Sequence, residues 1–476
     1  MAQLGRWTWG SWWTRVAAVV ALGTALLLSS LPGSTPLQAK GEERSGKTVA
    51  HHPGAKMITS ASVMSKAPKA HIFRLDHGAG EPTLGISKKG TVFITASDGC
   101  VTSCTGSTEM TDTVAPGGRA IFASKDQGKT WTDVSPTAGP ASRHVFSMDP
   151  YLYVDDVDEA TDRVFDVDLT VACAMLSYSD DEGQNWITNP AACGEPVNDH
   201  QTVFAGPPVS SPTIGYPHIV YYCFNHPAFT KCSKSLNGGL TFQTTANIQP
   251  PSCSGLNGHG VVDSKGTVYI PLGSNCGQPN IAISKDEGDT WKVVQVSTLG
   301  NAGADPSVAV DSKGNLYYLF TATQNHLPYL TISRNGGTKW SKPVMVAPRG
   351  VKATNLATLD VGDPGKVAIA YYGTTLKKEP LKWSGYLAEG FGVLGKNPVF
   401  YTSTVNEPSH PLKINGCGPG RCGRVLDFID VVISRGGQPW GAFVDACLKG
   451  CEKSMKESIH DNQGVIGTLK GGRPLK

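Results

Sequence analysis

The chain has 476 residues, a formal net charge of +3 and only 17% charged residues. A nucleic-acid-binding protein would need clustered Lys and Arg, and this composition excludes nucleic acid as a partner. The 55 glycines, together with the lack of a long stretch of helical apolar periodicity, favour many short strands joined by turns.

The first 39 residues have the organisation of a secretory signal peptide. Arg6 and Arg15 lie in a charged start, residues 16–31 form a short apolar run, and the small residue Ala39 follows it. We interpret residues 1–39 as a cleaved signal peptide, which predicts a secreted, extracellular protein. The alternative is a membrane anchor, but the run is shorter than the roughly 20 apolar residues that span a bilayer. No later run has that length, so no membrane span is expected after cleavage.

Residues 40–70 are predicted to be a flexible linker. They are mostly Lys, Ser, Gly, Ala and His, with almost no large apolar side chains that could offset the entropy of ordering. The remaining residues, 71–476, exceed an ordinary single hydrophobic core. They therefore form either two domains or one domain built from repeats.

Twelve cysteines fall into six couples that are close in sequence. In an exported chain this even number predicts six local disulfides. Metal ligation is the alternative, and the lack of any Cys-x-x-Cys spacing argues against it. The couples are Cys100 with Cys104, Cys173 with Cys193, Cys223 with Cys232, Cys253 with Cys276, Cys417 with Cys422, and Cys447 with Cys451.

An eight-residue pattern occurs five times, at intervals of 49 to 56 residues. Its Ser and its Asp or Asn can bond turn amides, and its shared glycine can adopt a positive φ. Its last residue is aromatic and is expected to pack under the turn as a buried anchor. The five copies cover residues 124–131, 179–186, 235–242, 284–291 and 333–340.

A second pattern, a strand, a glycine turn and another strand, has seven copies. The clearest runs from Asp305 through the turn at Gly314 to Leu316 and beyond. Seven copies favour seven structural units over the alternative of six. If the seven units are arranged in a circle, residues 70–75 could close it by pairing beside residues 464–469 of the last unit.

The eight-residue pattern resembles the Asp-box, also called the BNR repeat, of sialidases and their relatives. The resemblance covers roughly residues 71 to 470. It implies an all-β fold, a β-propeller, with each Asp-box on the outer rim between the third and fourth strands of a blade. Residues 71–476 are then a single seven-bladed propeller domain, whose ring closure leaves only short strand edges.

In a propeller the first strand of each blade lines the central channel, and one position at its start is polar in all seven copies. Its members are Glu81, Asp149, Asp199, Asn257, Asp305, Thr354 and Asp427. The catalytic candidates are four of its acids, Asp149, Asp199, Asp305 and Asp427. The substrate-binding candidates are Glu81, His200, His259, Arg424 and Asp430. The structural alternative is that these acids cap loops by accepting backbone amides.

Two carboxylates across a cleft can divide the acid and base roles of glycoside hydrolysis. No cofactor is required for that chemistry, although an oxygen-rich ring could also hold calcium. The sialidase resemblance implies an arginine triad and a tyrosine–glutamate pair, and the chain departs from both. Sialidases carry the motif aromatic-Arg-Ile-Pro in their first blade, and this chain matches only half of it, as Phe73-Arg74-Leu75-Asp76. Tyr371 and Tyr372 lack a flanking glutamate.

The expected function is a glycan-active hydrolase, a sialidase-like glycosidase that uses carboxylates at the channel mouth. The alternative is a non-catalytic module that binds a glycan or a protein. A glycan or polysaccharide is the expected partner, and the protein is expected to be a monomer.

Overall fold

The computed structural model describes residues 67–75, 79–97, 119–136, 150–157, 162–170, 173–193, 198–226, 229–248, 257–273, 278–301, 305–377, 382–406, 411–412, 417–418, 421–422, 427–445 and 463–476. The predicted signal peptide lies outside these residues. So does the predicted linker, except for its last four residues, two of which begin the first strand. Within the described residues every regular element is a β-strand, and no helix is present.

Thirty strands are described, and 28 of them form seven four-stranded antiparallel sheets, the blades. In chain order the strands are β1 (Lys69–Arg74), β2 (Thr83–Ile86), β3 (Val92–Ser97), β4 (Arg119–Ser124), β5 (Thr132–Asp133), β6 (Tyr151–Asp156), β7 (Asp162–Thr170), β8 (Cys173–Ser179), β9 (Ile187–Cys193), β10 (Asp199–Gly206), β11 (Ile219–His226), β12 (Phe229–Ser235), β13 (Gln243–Thr244), β14 (Val261–Val262), β15 (Val268–Leu272), β16 (Asn280–Ser284), β17 (Lys292–Gln295), β18 (Ser307–Val310), β19 (Leu316–Thr321), β20 (Pro328–Ser333), β21 (Val344–Met345), β22 (Ala353–Val361), β23 (Lys366–Thr374), β24 (Trp383–Phe391), β25 (Val399–Thr404), β26 (Cys417–Gly418), β27 (Arg421–Cys422), β28 (Asp430–Ile433), β29 (Pro439–Asp445) and β30 (Gln463–Lys470).

Blades 1 to 6 each consist of four consecutive strands, from β2–β5 for blade 1 to β22–β25 for blade 6. Blade 7 contains β28, β29 and β30, and β1 is its outer strand. The strands β26 and β27 pair separately as a short hairpin. The inner strand of each blade contacts the inner strand of the next, and β28 contacts β2, so the ring closes at seven blades. Seven blades rather than six are therefore confirmed.

The ring closes where β1 pairs antiparallel with β30, with Ala70 opposite Leu469 and Phe73 opposite Ile466. The prediction that residues 70–75 join residues 464–469 is confirmed. At the end of β1, the Arg74 guanidinium lies 3.2 Å from the buried carboxylate of Asp445. The two ends of the propeller domain are thus held by one sheet and one ion pair.

The five eight-residue repeats connect the third and fourth strands of blades 1 to 5 with one shared set of hydrogen bonds. In each repeat the serine Oγ accepts from the amide of the shared glycine at 2.8–2.9 Å. The Asp or Asn two residues after the serine accepts from a backbone amide four residues further on. Gly183 shows why the glycine is needed: its φ is 82°, and a Cβ there would lie 2.9 Å from Val134 of blade 1.

The aromatic residue that ends each repeat packs between blades. In blade 2 the Trp186 indole donates to the carbonyl oxygen of Val134 in blade 1 at 2.6 Å. All five aromatics are half-buried, which is less burial than the buried anchor expected from the sequence. The reason is their place on the rim, where one face of each ring contacts the neighbouring blade while the other faces outward.

Two predicted disulfides lie in the described part of the chain, Cys173–Cys193 and Cys223–Cys232. Each joins directly opposed residues of adjacent strands in one blade. Cys417 and Cys422 are opposed in the hairpin of β26 and β27. The other three couples lie outside the described residues. The two bridges are compatible with an extracellular protein. Among the described residues, no helix is long and apolar enough to cross a membrane.

Candidate functional site

The candidate site lies at the end of the channel where the chain enters the inner strands. A β-bulge shapes it at the start of blade 3, because the pairing of β10 with β11 shifts between Asp199 and Thr202. His200, inside this bulge, has a left-handed φ of 53°. Bulges re-aim side chains, and here the buried imidazole Nε2 lies 2.5 Å from the Asp305 carboxylate.

A second carboxylate lies on the other side of the same imidazole. The Nδ1 atom of His200 is 4.0 Å from Oδ2 of Asp427, whose side chain is fully buried. The backbone amide of Asp427 in turn donates to the Glu81 carboxylate at 3.1 Å. Among these acids Asp305 has the most exposed side chain, at 11%, although both of its carboxylate oxygens are buried. Four predicted site residues, from blades 1, 3, 5 and 7, are thus brought together.

His259, from blade 4, completes the cluster within an aromatic clamp. Its ring lies 4.2 Å from Tyr151 and 5.0 Å from Phe428, measured between centroids, and is nearly parallel to the His200 ring. Burial, and secondly the neighbouring His200, lower the pKa of His259 well below its usual value. The ring is therefore neutral near pH 7. Phe428 is a site residue that the sequence analysis missed, and only its position next to Asp427 could have signalled it.

A small cavity opens beside this cluster. Its free volume is about 20 Å³, which is room for one or two water molecules. It does not hold a sugar ring, so any glycan must bind outside it. Among the residues that line it are His259, Asp305, Ser307, Leu356, Asp427 and Phe428.

Asp430 is buried and bonded to backbone amides. Its carboxylate accepts from the amide of Leu84 in blade 1 at 2.9 Å and from the amide of Val431. Asp360 in blade 6 makes the corresponding bond to the amide of Ile433 in blade 7 at 2.7 Å. Burial, opposed in part by these amides, raises the pKa of Asp430 to about 7. These two carboxylates tie consecutive blades together, which is a packing role for Asp430.

The remaining polar positions of the inner strands, and the candidate Arg424, divide into three groups. Asp199 is half-buried at the start of β10, next to His200 and opposite Asn225. Asn257 bonds Asn225 and the Gly273 amide, and Thr354 bonds the carbonyl oxygen of His326, so both hold loops. The predicted site residues Asp149 and Arg424 lie outside the described residues.

No metal site accompanies the cluster within the part of the chain that the structure describes. No group of three or more His, Cys, Asp or Glu side chains is arranged there to hold a cation. The calcium expectation therefore finds no donor set among these residues.

No protein-family model and no curated protein sequence matches the chain. Solved structures similar to it include Hadza microbial sialidase Hz136, at 16% identity and a TM-score of 0.40, over 63% of this chain and 64% of that one. A protein of unknown function from Dyadobacter fermentans has 15% identity and a TM-score of 0.43, over 85% and 99% of the two chains. The Aleuria aurantia lectin has 11% identity and a TM-score of 0.42, over 70% and 99%. Likenesses this distant assign no activity to the chain.

The sialidase features that the sequence lacks are not supplied by the described residues. Tyr371 and Tyr372 are fully buried between blades, and the Tyr372 hydroxyl bonds the backbone of Val444. Arg74, from the half-matched motif, pairs with Asp445 at the ring closure. What the site does provide is a buried carboxylate in contact with an imidazole at the wall of a cavity, and this pairing can hold a carboxylate in position for proton transfer.

Proposed function

We propose that this protein is a secreted, glycan-active hydrolase of the Asp-box, sialidase-like kind, with Asp305 as its reacting carboxylate. The observation that carries the proposal is the 2.5 Å contact of Asp305 with His200 at the wall of the cavity. Secretion rests on the pattern of residues 1–39, and the Asp-box assignment rests on the five repeated turns.

The roles follow from exposure and contacts. Asp305 is the base, since its side chain is the most exposed of the clustered acids, and its 2.5 Å contact with His200 fixes its orientation. Asp427 lies on the other side of the imidazole, with its Oδ2 atom 4.0 Å from Nδ1. Asp199, half-buried beside His200, is the general acid. A pair of carboxyl groups that divides these roles is the requirement for glycoside hydrolysis.

The charge of the site favours a neutral glycan over a sialoside. The described cluster contains the carboxylates of Glu81, Asp305 and Asp427, and one of its two imidazoles, His259, is neutral. An anionic sugar would be repelled by such a site. The substrate class is therefore a neutral polysaccharide bound across the channel mouth.

The test is a glycan screen with the mature protein. Arabinan, xylan, galactan, β-glucan and sialyllactose are incubated with wild type, Asp305→Asn and the rim control Asp289→Asn, and released reducing ends are measured. We expect turnover of a neutral polysaccharide, a loss of at least about 100-fold in Asp305→Asn, and wild-type rates in Asp289→Asn. Turnover that Asp305→Asn leaves unchanged contradicts the assignment.

The second candidate is a non-catalytic module that binds a glycan or a protein at the same end of the channel. The observation that favours it is the small cavity, together with the complete burial of His200 and Asp427. Such a module would bind a polysaccharide of the screen, measured by calorimetry, without releasing reducing ends.

A further inference from the structure

Residues 472–476, which follow the last strand of the chain, run across the boundary between blades 6 and 7. They continue from β30 of blade 7, at the end of the channel opposite the candidate site. The guanidinium of Arg473 lies 4.9 Å from the centroid of the Phe391 ring, at the end of β24. The ammonium group of Lys366, at the start of β23, donates to the carbonyl oxygen of Pro474 at 3.2 Å. A segment that continues blade 7 therefore contacts two strands of blade 6.

Leu475 joins a turn of one blade to a turn of the other. Its carbonyl oxygen accepts from the amide of Asp363, between β22 and β23, at 2.7 Å. Its own amide donates to the carbonyl oxygen of Gly437, between β28 and β29, at 2.9 Å. Its side chain is fully buried, in a hydrophobic cluster that contains Leu387 of blade 6 and Phe443 of blade 7. One residue thus connects the two blades by two hydrogen bonds and by apolar packing.

Gly362, next to Asp363, leaves room for this contact. A Cβ at position 362 would overlap the carbonyl group of Leu475. Gly362 has no positive φ, so the turn itself does not require a glycine there. The close approach of Leu475 is therefore what requires a residue without a side chain at this position.

Lys476 extends the contact to the inner strand of blade 7. Its ammonium group donates to the carbonyl oxygen of Ile433, the last residue of β28, at 2.8 Å. The amide of the same Ile433 donates to the Asp360 carboxylate of blade 6. Burial raises the pKa of Asp360, and the positive charge of Lys476 opposes that shift because it favours the ionised carboxylate. Lys476 therefore acts on both partners of a hydrogen bond that links the blades.

We propose that residues 472–476 are a strap that holds blade 6 against blade 7, in addition to the pairing of β1 with β30 within blade 7. The strap lies at the turns and the inner strand, whereas β1 is the outer strand of its sheet. A hydrolase and a binding module would need it equally, so the strap does not depend on the proposed function. Removing it breaks the bonds to Asp363 and Gly437 without removing any strand.

The first experiment compares the mature protein with a variant that ends at Gly471. We expect the thermal midpoint of the shortened variant to be lower by at least about 3 °C, because a fully buried leucine is lost. Amide hydrogen exchange in peptides that cover the turn at Asp363 should become at least about tenfold faster. Peptides that cover the rim turn 179–186 in blade 2 should keep the wild-type rate. Exchange at Asp363 that stays at the wild-type rate overturns the proposal.

The second experiment tests Gly362, with Gly436 as its control because a Cβ at Gly436 would have no neighbour nearer than 4.0 Å. In the full chain, Gly362→Ala should lower the thermal midpoint by at least about 2 °C, and Gly436→Ala should match wild type. In the chain that ends at Gly471 the added Cβ meets no strap, so Gly362→Ala should have no effect. An equal loss in both chains would mean that the turn itself needs glycine, which overturns the proposal.

A third measurement needs only the full chain and so does not depend on the shortened variant folding. Peptides that cover residues 472–476 should exchange their amide hydrogens at least about tenfold faster in Gly362→Ala than in Gly436→Ala, because the displaced strap loses its bond to Gly437. Equal exchange in the two variants overturns the proposal.

Discussion

The His200 imidazole lies 2.5 Å from the Asp305 carboxylate, so the bulged start of blade 3 contacts the loop that enters blade 5 across the channel. Neither residue is near the other in sequence, and the circular arrangement of the blades brings them together. The contact makes His200 a positioning residue whose loss should affect the reaction more than the fold.

His200→Gln is the variant that separates these effects, because glutamine retains a donor for Asp305. We expect kcat to fall at least about tenfold, since a misplaced carboxylate loses productive geometry, while KM changes less than threefold. The thermal midpoint should stay within a few degrees of wild type. Steady-state kinetics and calorimetry measure both quantities. A variant that unfolds without losing specific activity would make His200 a purely structural residue.

The blade count and the ring closure could be predicted from the sequence because they depend on repeats that recur along the chain. The site could be predicted only in part. Strand alternation assigns Gln201 to the face of Asp199, yet the bulge places His200 against Asp305 instead. Histidine tolerates a positive φ better than most residues, but the residue type alone does not show that the chain adopts one at His200. Likewise, the bond from Asp430 to the Leu84 amide depends on how two blades are aligned, which the pattern of one strand does not record.

The buried carboxyl of Asp430 should make stability depend on pH. Its pKa is raised to about 7 in the folded protein, against 3.8 as the usual value, chiefly by burial. Between these pH values the folded state binds more protons than the unfolded state, so this group's contribution to the unfolding free energy falls as pH rises. Each pKa unit of difference corresponds to about 1.4 kcal/mol. Above about pH 7 this loss of unfolding free energy is complete.

Asp430→Asn isolates this contribution, because an amide oxygen can still accept from Leu84 and never ionises. We expect the thermal midpoint of the variant, relative to wild type, to increase from pH 5 to pH 8. The variant must be compared with wild type at each pH, because His259, whose pKa is lowered, makes the stability of both proteins rise with pH. Asp289→Asn, at an exposed rim site, should show no such difference. A constant offset for Asp430→Asn across this pH range would contradict the raised pKa.

The outer strand of blade 7 should be essential for the domain. Without β1, the edge of β30 is unpaired and the buried carboxylate of Asp445 loses the Arg74 guanidinium. An uncompensated buried charge typically costs about 3–5 kcal/mol. A chain that begins at residue 79 should therefore unfold at much lower denaturant concentration than one that begins at residue 67. Equal midpoints in urea would mean that β1 does not close the ring.

The rim repeats should contribute to stability in proportion to their partial burial. Trp186→Ala removes packing against blade 1 and the bond to the Val134 carbonyl oxygen. Full burial would make the loss about 3–5 kcal/mol, and we expect roughly 2–3 kcal/mol for this half-buried ring. Trp186→Phe keeps most of the packing and should cost about 1 kcal/mol for the lost hydrogen bond. Turnover should be unchanged in both, since the rim is distant from the channel.

The two described disulfides should differ in their contribution to stability because they close loops of different length. Cys223–Cys232 spans nine residues in sequence and Cys173–Cys193 spans 20. On the loop-entropy model the shorter loop contributes about 2–3 kcal/mol and the longer one slightly more, about 3 kcal/mol. Paired Cys→Ser variants at each bridge, compared in urea at constant pH, measure the two values.

Non-reducing peptide mass mapping of the wild type should recover both bridges within single blades. A bridge between cysteines of different couples would contradict the local pairing, and equal losses in the two variants would contradict the loop-length argument.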